Sequence, residues 1–160
     1  MAHILIVCTA NICRSPVVEA LLRDRLQKEG LTDWTVESAG TWAMYSRGAS
    51  QYSIDVIRDW ENLDLSGHRA RMVSAEQLAR SDLILTMELG HAEALRVEFP
   101  TQAPKIFLLS QMVDNNQYNI ADPYGLPRSY YEQMVAEVRR LVDEGLPQII
   151  KLASLRAEGK

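Results

Sequence analysis

The segment C-T-A-N-I-C-R-S, Cys8 to Ser15, holds both cysteines of the chain and sets an arginine after the first in the spacing C-x5-R. Between a strand and a helix, such a loop turns successive backbone N–H groups toward one point, and the helix N-terminus adds partial positive charge. An oxyanion fits there, and the guanidinium fork of Arg14 can grip it. A thiolate at the base of the cradle is stabilised by the same charge, so Cys8 is the candidate nucleophile and needs no histidine base. Ser15 can donate a hydrogen bond to that sulfur and improve it as a leaving group. A nucleophile beside a phosphate-sized anion site implies phosphoryl transfer through a cysteinyl phosphate, with Thr9, Ala10, Asn11, Ile12, Cys13 and Ser15 forming the phosphate-binding loop. Asn11 stands where the loop must bend sharply, and asparagine tolerates the left-handed region better than most residues.

The flanking elements must hold this loop still. Ile4 to Val7 is a short apolar run suited to a buried parallel strand. Ser15 as N-cap and Pro16 as first helical residue predict a helix to about Gly30. Further strands are expected over Trp34 to Ala39, Asp82 to Met87 and Lys105 to Leu109. Helices are expected over Ser53 to Leu63, over a short segment opened by the capping box Ser74 with Gln77, and from about Gly90 to Phe99. Gln111 to Arg128, rich in Asn, Asp, Pro and Gly, predicts a long loop, and long loops in compact domains are often functional. A second capping box, Ser129 with Glu132, predicts a last helix that Gly145 and Pro147 interrupt before a final turn near Arg156. Strands separated by helices give a parallel sheet covered on both faces, with ligands beyond the carboxyl ends of the strands. No internal repeat or domain boundary is visible, so residues 1–160 are expected to form one domain.

Composition removes several functional classes. With 47% hydrophobic and 24% charged residues and a net charge of -4, the chain is ordinary for a globular protein and has no basic stripe for nucleic acid. No apolar run approaches a membrane span, and the N-terminus has no signal-peptide pattern, so a cytoplasmic location is expected. Two cysteines and three histidines without ligand spacing argue against a metal, and no cofactor is expected.

Together, CTANICRSP, ESAGT (Glu37 to Thr41), SGHRAR (Ser66 to Arg71) and DPYG (Asp122 to Gly125) resemble the low-molecular-weight protein tyrosine phosphatases, in the right order along nearly the whole chain. The resemblance implies a flavodoxin-like three-layer α/β sandwich with a four-stranded parallel sheet and helices on both faces. It also implies a metal-independent phosphotyrosine phosphatase with Cys8 as nucleophile, Arg14 as phosphate clamp and Asp122 as general acid. An aspartate above the cradle can protonate the departing aryloxide and later take a proton from the attacking water. By motif position, Trp42 and Tyr124 would line the substrate pocket and sandwich a phenyl ring. Ser38 and His68 would support the loop through Asn11, while Arg69 and Arg71 are expected to make structural ion pairs. The implied partner is a phosphotyrosine-containing protein, a tyrosine kinase among the candidates.

Three positions depart from the family pattern: Ala10 for a glycine, Gly125 for a second aromatic, and Glu88-Leu-Gly-His91 for Asp-x-Ser-Asn. Two other activities share the loop. Protein-arginine phosphatases tend to carry threonine where this chain has Ile12, and thioredoxin-coupled arsenate reductases need further cysteines, of which none follows Cys13. Cys13 is expected to guard Cys8 by forming a reversible disulfide under oxidant.

Overall fold

The computed structural model describes residues 1–159. Its centre is a parallel sheet of β1 (His3–Cys8), β2 (Thr35–Gly40), β3 (Leu83–Thr86) and β4 (Ile106–Leu108), in the order β2-β1-β3-β4. The period-two alternation of β1 divides the core. Ile4, Ile6 and Cys8 face one cluster, joined by Leu83 and Leu85, while Leu5 and Val7 face the other with Ile84 and Ile106. Helices α1 (Arg14–Lys28), α2 (Gln51–Glu61) and α5 (Arg128–Glu158) bring Val17, Leu21, Ile57, Val138 and Leu141 to the first cluster. Helices α3 (Ala75–Arg80) and α4 (Leu89–Glu98) cover the second with Leu78, Ala92 and Leu95. Among the described residues no helix is long and apolar enough to cross a membrane.

The chain steps outward from β1 to β2 on one side and returns to place β3 on the other. The crevice between the carboxyl ends of β1 and β3 is therefore the topological switch point, where sheets of this kind bind ligands. Cys8 ends β1 there, and Glu88 follows β3.

Several local expectations change. Helix α1 begins at Arg14 with Cys13 as N-cap and no side-chain cap, so Ser15 lies inside the first turn. Its hydroxyl is engaged with Asn11 and Cys8 instead, which leaves the first N–H groups of the helix open toward the cradle. The helix ends as anticipated at Gly30, whose φ of 82° fits a Schellman cap with Gly30 N–H on Gln27 C=O and Leu31 N–H on Leu26 C=O. Of the two capping boxes, Ser74 with Gln77 forms and Ser129 with Glu132 does not. Pro127 is extended and caps α5, so Ser129 is already helical.

Helix α5 also runs unbroken through Gly145 and Pro147. Pro147 and Asp143, four residues before it, are both exposed, so the missing N–H bond falls on the exposed side of the helix. Gly145 is buried against Met112, with an added Cβ only 2.7 Å from the Met112 Cβ, so glycine there serves close packing rather than a break.

A second glycine ties the sheet to the loop. A Cβ on Gly40 would lie 2.4 Å from the Thr9 carbonyl oxygen and 3.0 Å from the Ala43 Cβ. Gly40→Ala is expected to destabilise the fold by about 1–3 kcal/mol, because backbone of the phosphate loop has to move. A thermal melt measures this, and an unchanged midpoint would contradict the packing described.

Candidate active site

Loop residues 9–13 leave β1 and re-enter the helix around a single left-handed residue, Asn11, with φ 60°. Asn11 is fully buried, and its side-chain polar atoms and carbonyl oxygen are all used. Its Nδ2 donates to Ser15 Oγ at 2.8 Å and Ser38 Oγ at 2.9 Å, and its Oδ1 accepts from the Arg71 N–H at 3.1 Å. His68 Nε2 lies 2.6 Å from its carbonyl oxygen and must donate to it. Ser38 and His68 thus meet Asn11. Arg71 donates to the Ser38 carbonyl and pairs with Glu37, while Arg69 donates to the His68 carbonyl. Since the Ser15 oxygen accepts from Asn11, its hydroxyl proton is free for the Cys8 sulfur, 3.0 Å away.

Arg14 is buried, and its two edges differ. Nη1 donates to Glu88 Oε2 at 2.8 Å and to the Ile120 carbonyl at 2.7 Å. Nε is buried without a partner, and Nη2 comes no nearer to Asp122 Oδ2 than 3.7 Å. An unsatisfied buried donor on an arginine is costly, and the Nε–Nη2 edge is the one that forks onto an oxyanion. Glu88 and Ile120 hold the guanidinium by its far side and leave that edge for a ligand. The sequence pattern does not predict Glu88, Ile120 or His91. The usable signal was the position of Glu88 directly after the strand that borders β1.

His91 completes the anchor. Its Nδ1 accepts from the Glu88 N–H at 3.2 Å, so Nε2 carries the proton that reaches Thr9 Oγ1 at 2.9 Å. Burial, and then the Arg14 charge, hold the ring below the ordinary histidine range, which favours the neutral form in which Nδ1 can accept. The Glu88-Leu-Gly-His91 departure is therefore a working pair, with one residue on Arg14 and the other on Thr9. We expect Glu88→Gln to raise the inhibition constant of inorganic phosphate about tenfold, the weight of one charge-assisted hydrogen bond. Glu88→Asp should recover part of it. Unchanged phosphate affinity in Glu88→Gln would show that Glu88 does not orient Arg14.

A cavity of about 180 Å³ opens above the loop, lined by Cys8, Thr9, Ala10, Ile12, Cys13, Arg14, Arg47, Asp122 and Tyr124. Asp122 sits at its mouth, on a loop shaped by the buried Pro123 and by a turn closed by Leu126 N–H on the Pro123 carbonyl at 2.9 Å. Gly125, φ 78°, fills the turn position that demands a left-handed residue. Asp122 Oδ1 accepts the Tyr124 N–H at 3.1 Å.

Trp42 does not reach this cavity. It lies in an adjoining one, because the Trp42 N–H is fixed to the Thr9 carbonyl at 2.9 Å and its ring continues outward. Among the described residues Tyr124 is the one aromatic that lines the main cavity, with Ile12 also in its lining and Arg47 donating to the Tyr124 hydroxyl at 3.0 Å. Arg47 also carries no motif signal in the sequence.

The two cysteines differ in surroundings. Burial pushes the Cys13 thiol up, and it packs against Ser50 Oγ at 3.0 Å and the Tyr131 hydroxyl at 3.5 Å. Cys13 is held as a neutral thiol, while the Cys8 sulfur lies under the open cradle.

A sequence profile described as low molecular weight phosphotyrosine protein phosphatase matches residues 3–159. The chain is similar to the probable low molecular weight protein-tyrosine-phosphatase EpsP of Ralstonia nicotianae, 34% identical over 91% of this chain and 94% of the relative. Its fold is similar to the crystal structure of the low molecular weight protein tyrosine phosphatase from T. tengcongensis, with a TM-score of 0.87, 32% identity, and coverage of 92% of this chain and 99% of that one. It is also similar to the YwlE arginine phosphatase from Geobacillus stearothermophilus, at TM-score 0.84, 31% identity, 97% of this chain and 96% of that one. The match of profile, sequence and fold over nearly its full length means that this chain belongs to the low molecular weight phosphotyrosine protein phosphatases, metal-independent hydrolases of phosphoprotein monoesters.

Proposed function

We propose that this chain, acting as a single domain, hydrolyses phosphotyrosine in protein substrates through a phosphocysteine on Cys8. The observation that carries the reading is the unpartnered Nε of buried Arg14, a residue that lines one cavity together with Cys8 and Asp122. In the first step the Cys8 sulfur attacks phosphorus and the bond to the phenolic oxygen breaks. Asp122, protonated, gives its proton to that oxygen as it leaves. Arg14 and the open N–H groups of α1 hold the equatorial phosphoryl oxygens as charge builds on them. In the second step water attacks the phosphocysteine, Asp122 takes a proton from it, and the sulfur departs as a thiolate stabilised by the Ser15 hydroxyl. Phosphate leaves and the starting state returns.

A phenyl ring entering this cavity can contact Ile12 and Tyr124, two lining residues suited to a ring. The charged guanidinium of phosphoarginine gains less from Ile12, which favours tyrosine over the arginine phosphatase reading. The test compares phosphotyrosine and phosphoarginine peptides of one sequence under reducing conditions. We expect kcat/KM to favour phosphotyrosine by about tenfold or more, the weight of one well-matched pocket contact. Preference for phosphoarginine would replace the reading.

The substrate in this reading is a phosphotyrosine-containing protein met in the cytoplasm, a tyrosine kinase among the candidates. Cys13 gives the site a reversible off state. Peroxide converts the Cys8 thiolate to a sulfenic acid, and the Cys13 thiol displaces water from it to form a disulfide. Cys13→Ser should make peroxide inactivation largely irreversible by thiol; equal recovery would end the guard role.

A further inference from the structure

The loop of residues 41–50 is pinned by its backbone yet points its large apolar side chains at solvent. Thr41 N–H bonds to the Cys8 carbonyl and Trp42 N–H to the Thr9 carbonyl, each at 2.9 Å. Ser46 N–H and the Arg47 carbonyl pair with Ala70 at 3.0 and 2.7 Å, and Ser50 N–H reaches the Ile12 carbonyl at 2.8 Å. Between these anchors Trp42, Met44 and Tyr45 are 80%, 71% and 72% exposed. Adjacent large apolar side chains held in the open on a fixed loop mark an interaction surface.

Trp42, Ala43 and Met44 line a cavity of about 300 Å³ whose remaining walls are Thr9, Ala10 and Arg47. Those last three also line the phosphate cavity, so the two sites are neighbours that share one wall. Arg47 stands on the divide, with its guanidinium 5.4 Å from the Tyr124 ring on the phosphate side. An indole offers a stacking face, a thioether makes favourable contacts with ring edges, and a guanidinium sits well over an aromatic face. All three preferences converge on an aromatic guest. In an extended peptide, side chains two residues apart point the same way and stand about 7 Å apart, so residues near the phosphotyrosine are the ones that can enter a neighbouring pocket.

Resting on the phosphotyrosine reading above, we propose that this cavity is a second substrate subsite that takes an aromatic side chain lying within two residues of the phosphotyrosine. Trp42, displaced from the aryl pocket, becomes its stacking wall, and Arg47 lies between the two bound rings. The enzyme then selects phosphoproteins in which the modified tyrosine has an aromatic neighbour, in addition to hydrolysing the phosphate.

The experiment measures kcat/KM for phosphotyrosine peptides carrying Phe, Leu, Asp or Ala at each of the two positions on either side, with p-nitrophenyl phosphate as a substrate that has no flanking residue. We expect Phe at one position to exceed Ala there by about tenfold, mostly through KM, and Trp42→Ala and Met44→Ala each to bring that ratio toward one. The ratio is taken on one preparation, so partial unfolding of a variant lowers both rates and leaves it unchanged. No preference, a preference for Asp, or a Phe preference that survives in Trp42→Ala would overturn the subsite while turnover of p-nitrophenyl phosphate keeps the phosphatase reading intact. Absence of turnover on that small substrate would remove the phosphatase reading and the subsite with it.

Discussion

Cys8→Ser is expected to abolish turnover, by at least about 10⁴-fold, because a serine hydroxyl is a far poorer nucleophile and leaving group than a cysteine sulfur and the covalent route has no other entrance. Cys13 does not substitute for it. Its thiol is pushed up by burial and is engaged with Ser50 and Tyr131. The same variant should still bind inorganic phosphate, since Arg14, its Glu88 and Ile120 holders and the Asn11 network are untouched. Loss of chemistry with retention of anion binding is the signature of a missing nucleophile. Steady release of phosphate by Cys8→Ser at the parent rate would sink the mechanism.

Asp122→Asn separates the acid from the clamp. Phenyl phosphate, whose leaving group is poor, should lose about 10²- to 10⁴-fold in kcat/KM, which reports the step that expels the leaving group, and p-nitrophenyl phosphate, whose leaving group needs less help, should lose far less in the same constant. The amide keeps the acceptor oxygen that receives the Tyr124 N–H, so the turn built on Pro123 and Gly125 persists. Equal losses across the two leaving groups would mean that Asp122 shapes the loop without donating a proton.

The parts of this site that can be read from the chain are the local ones. Cys8, Asn11, Arg14 and Ser15 fall within one strand, loop and helix unit, where spacing alone fixes geometry. The sheet was legible for a similar reason, since short apolar runs between amphipathic segments leave few alternatives to a parallel α/β fold. Glu88, His91 and Arg47 were not legible, because they reach Arg14, Thr9 and Tyr124 only after β3 pairs with β1 and the 41–50 loop docks on the cradle. Local signals also misled where a tertiary contact outweighed them. The Ser15 hydroxyl is drawn to Asn11 and Cys8 rather than capping α1. In α5, Gly145 and Pro147 look like breakers, yet the buried stripe of Val142, Gly145, Ile149 and Ala153 keeps the helix on the core while Pro147 gives up its bond on the wet face. Trp42 carried a motif position that suggested the aryl pocket, and the backbone bond to Thr9 turns it into the next cavity.

The central claim is the covalent intermediate on Cys8. Acid quench of the enzyme during turnover of p-nitrophenyl phosphate, followed by mass spectrometry of its peptides, tests it most directly, with Asp122→Asn used to slow the second step. The account predicts one phosphoryl group on the peptide that contains Cys8, absent from Cys8→Ser. Phosphate carried by any other residue, or turnover with no phosphorylated peptide at any quench time in either form, would contradict it.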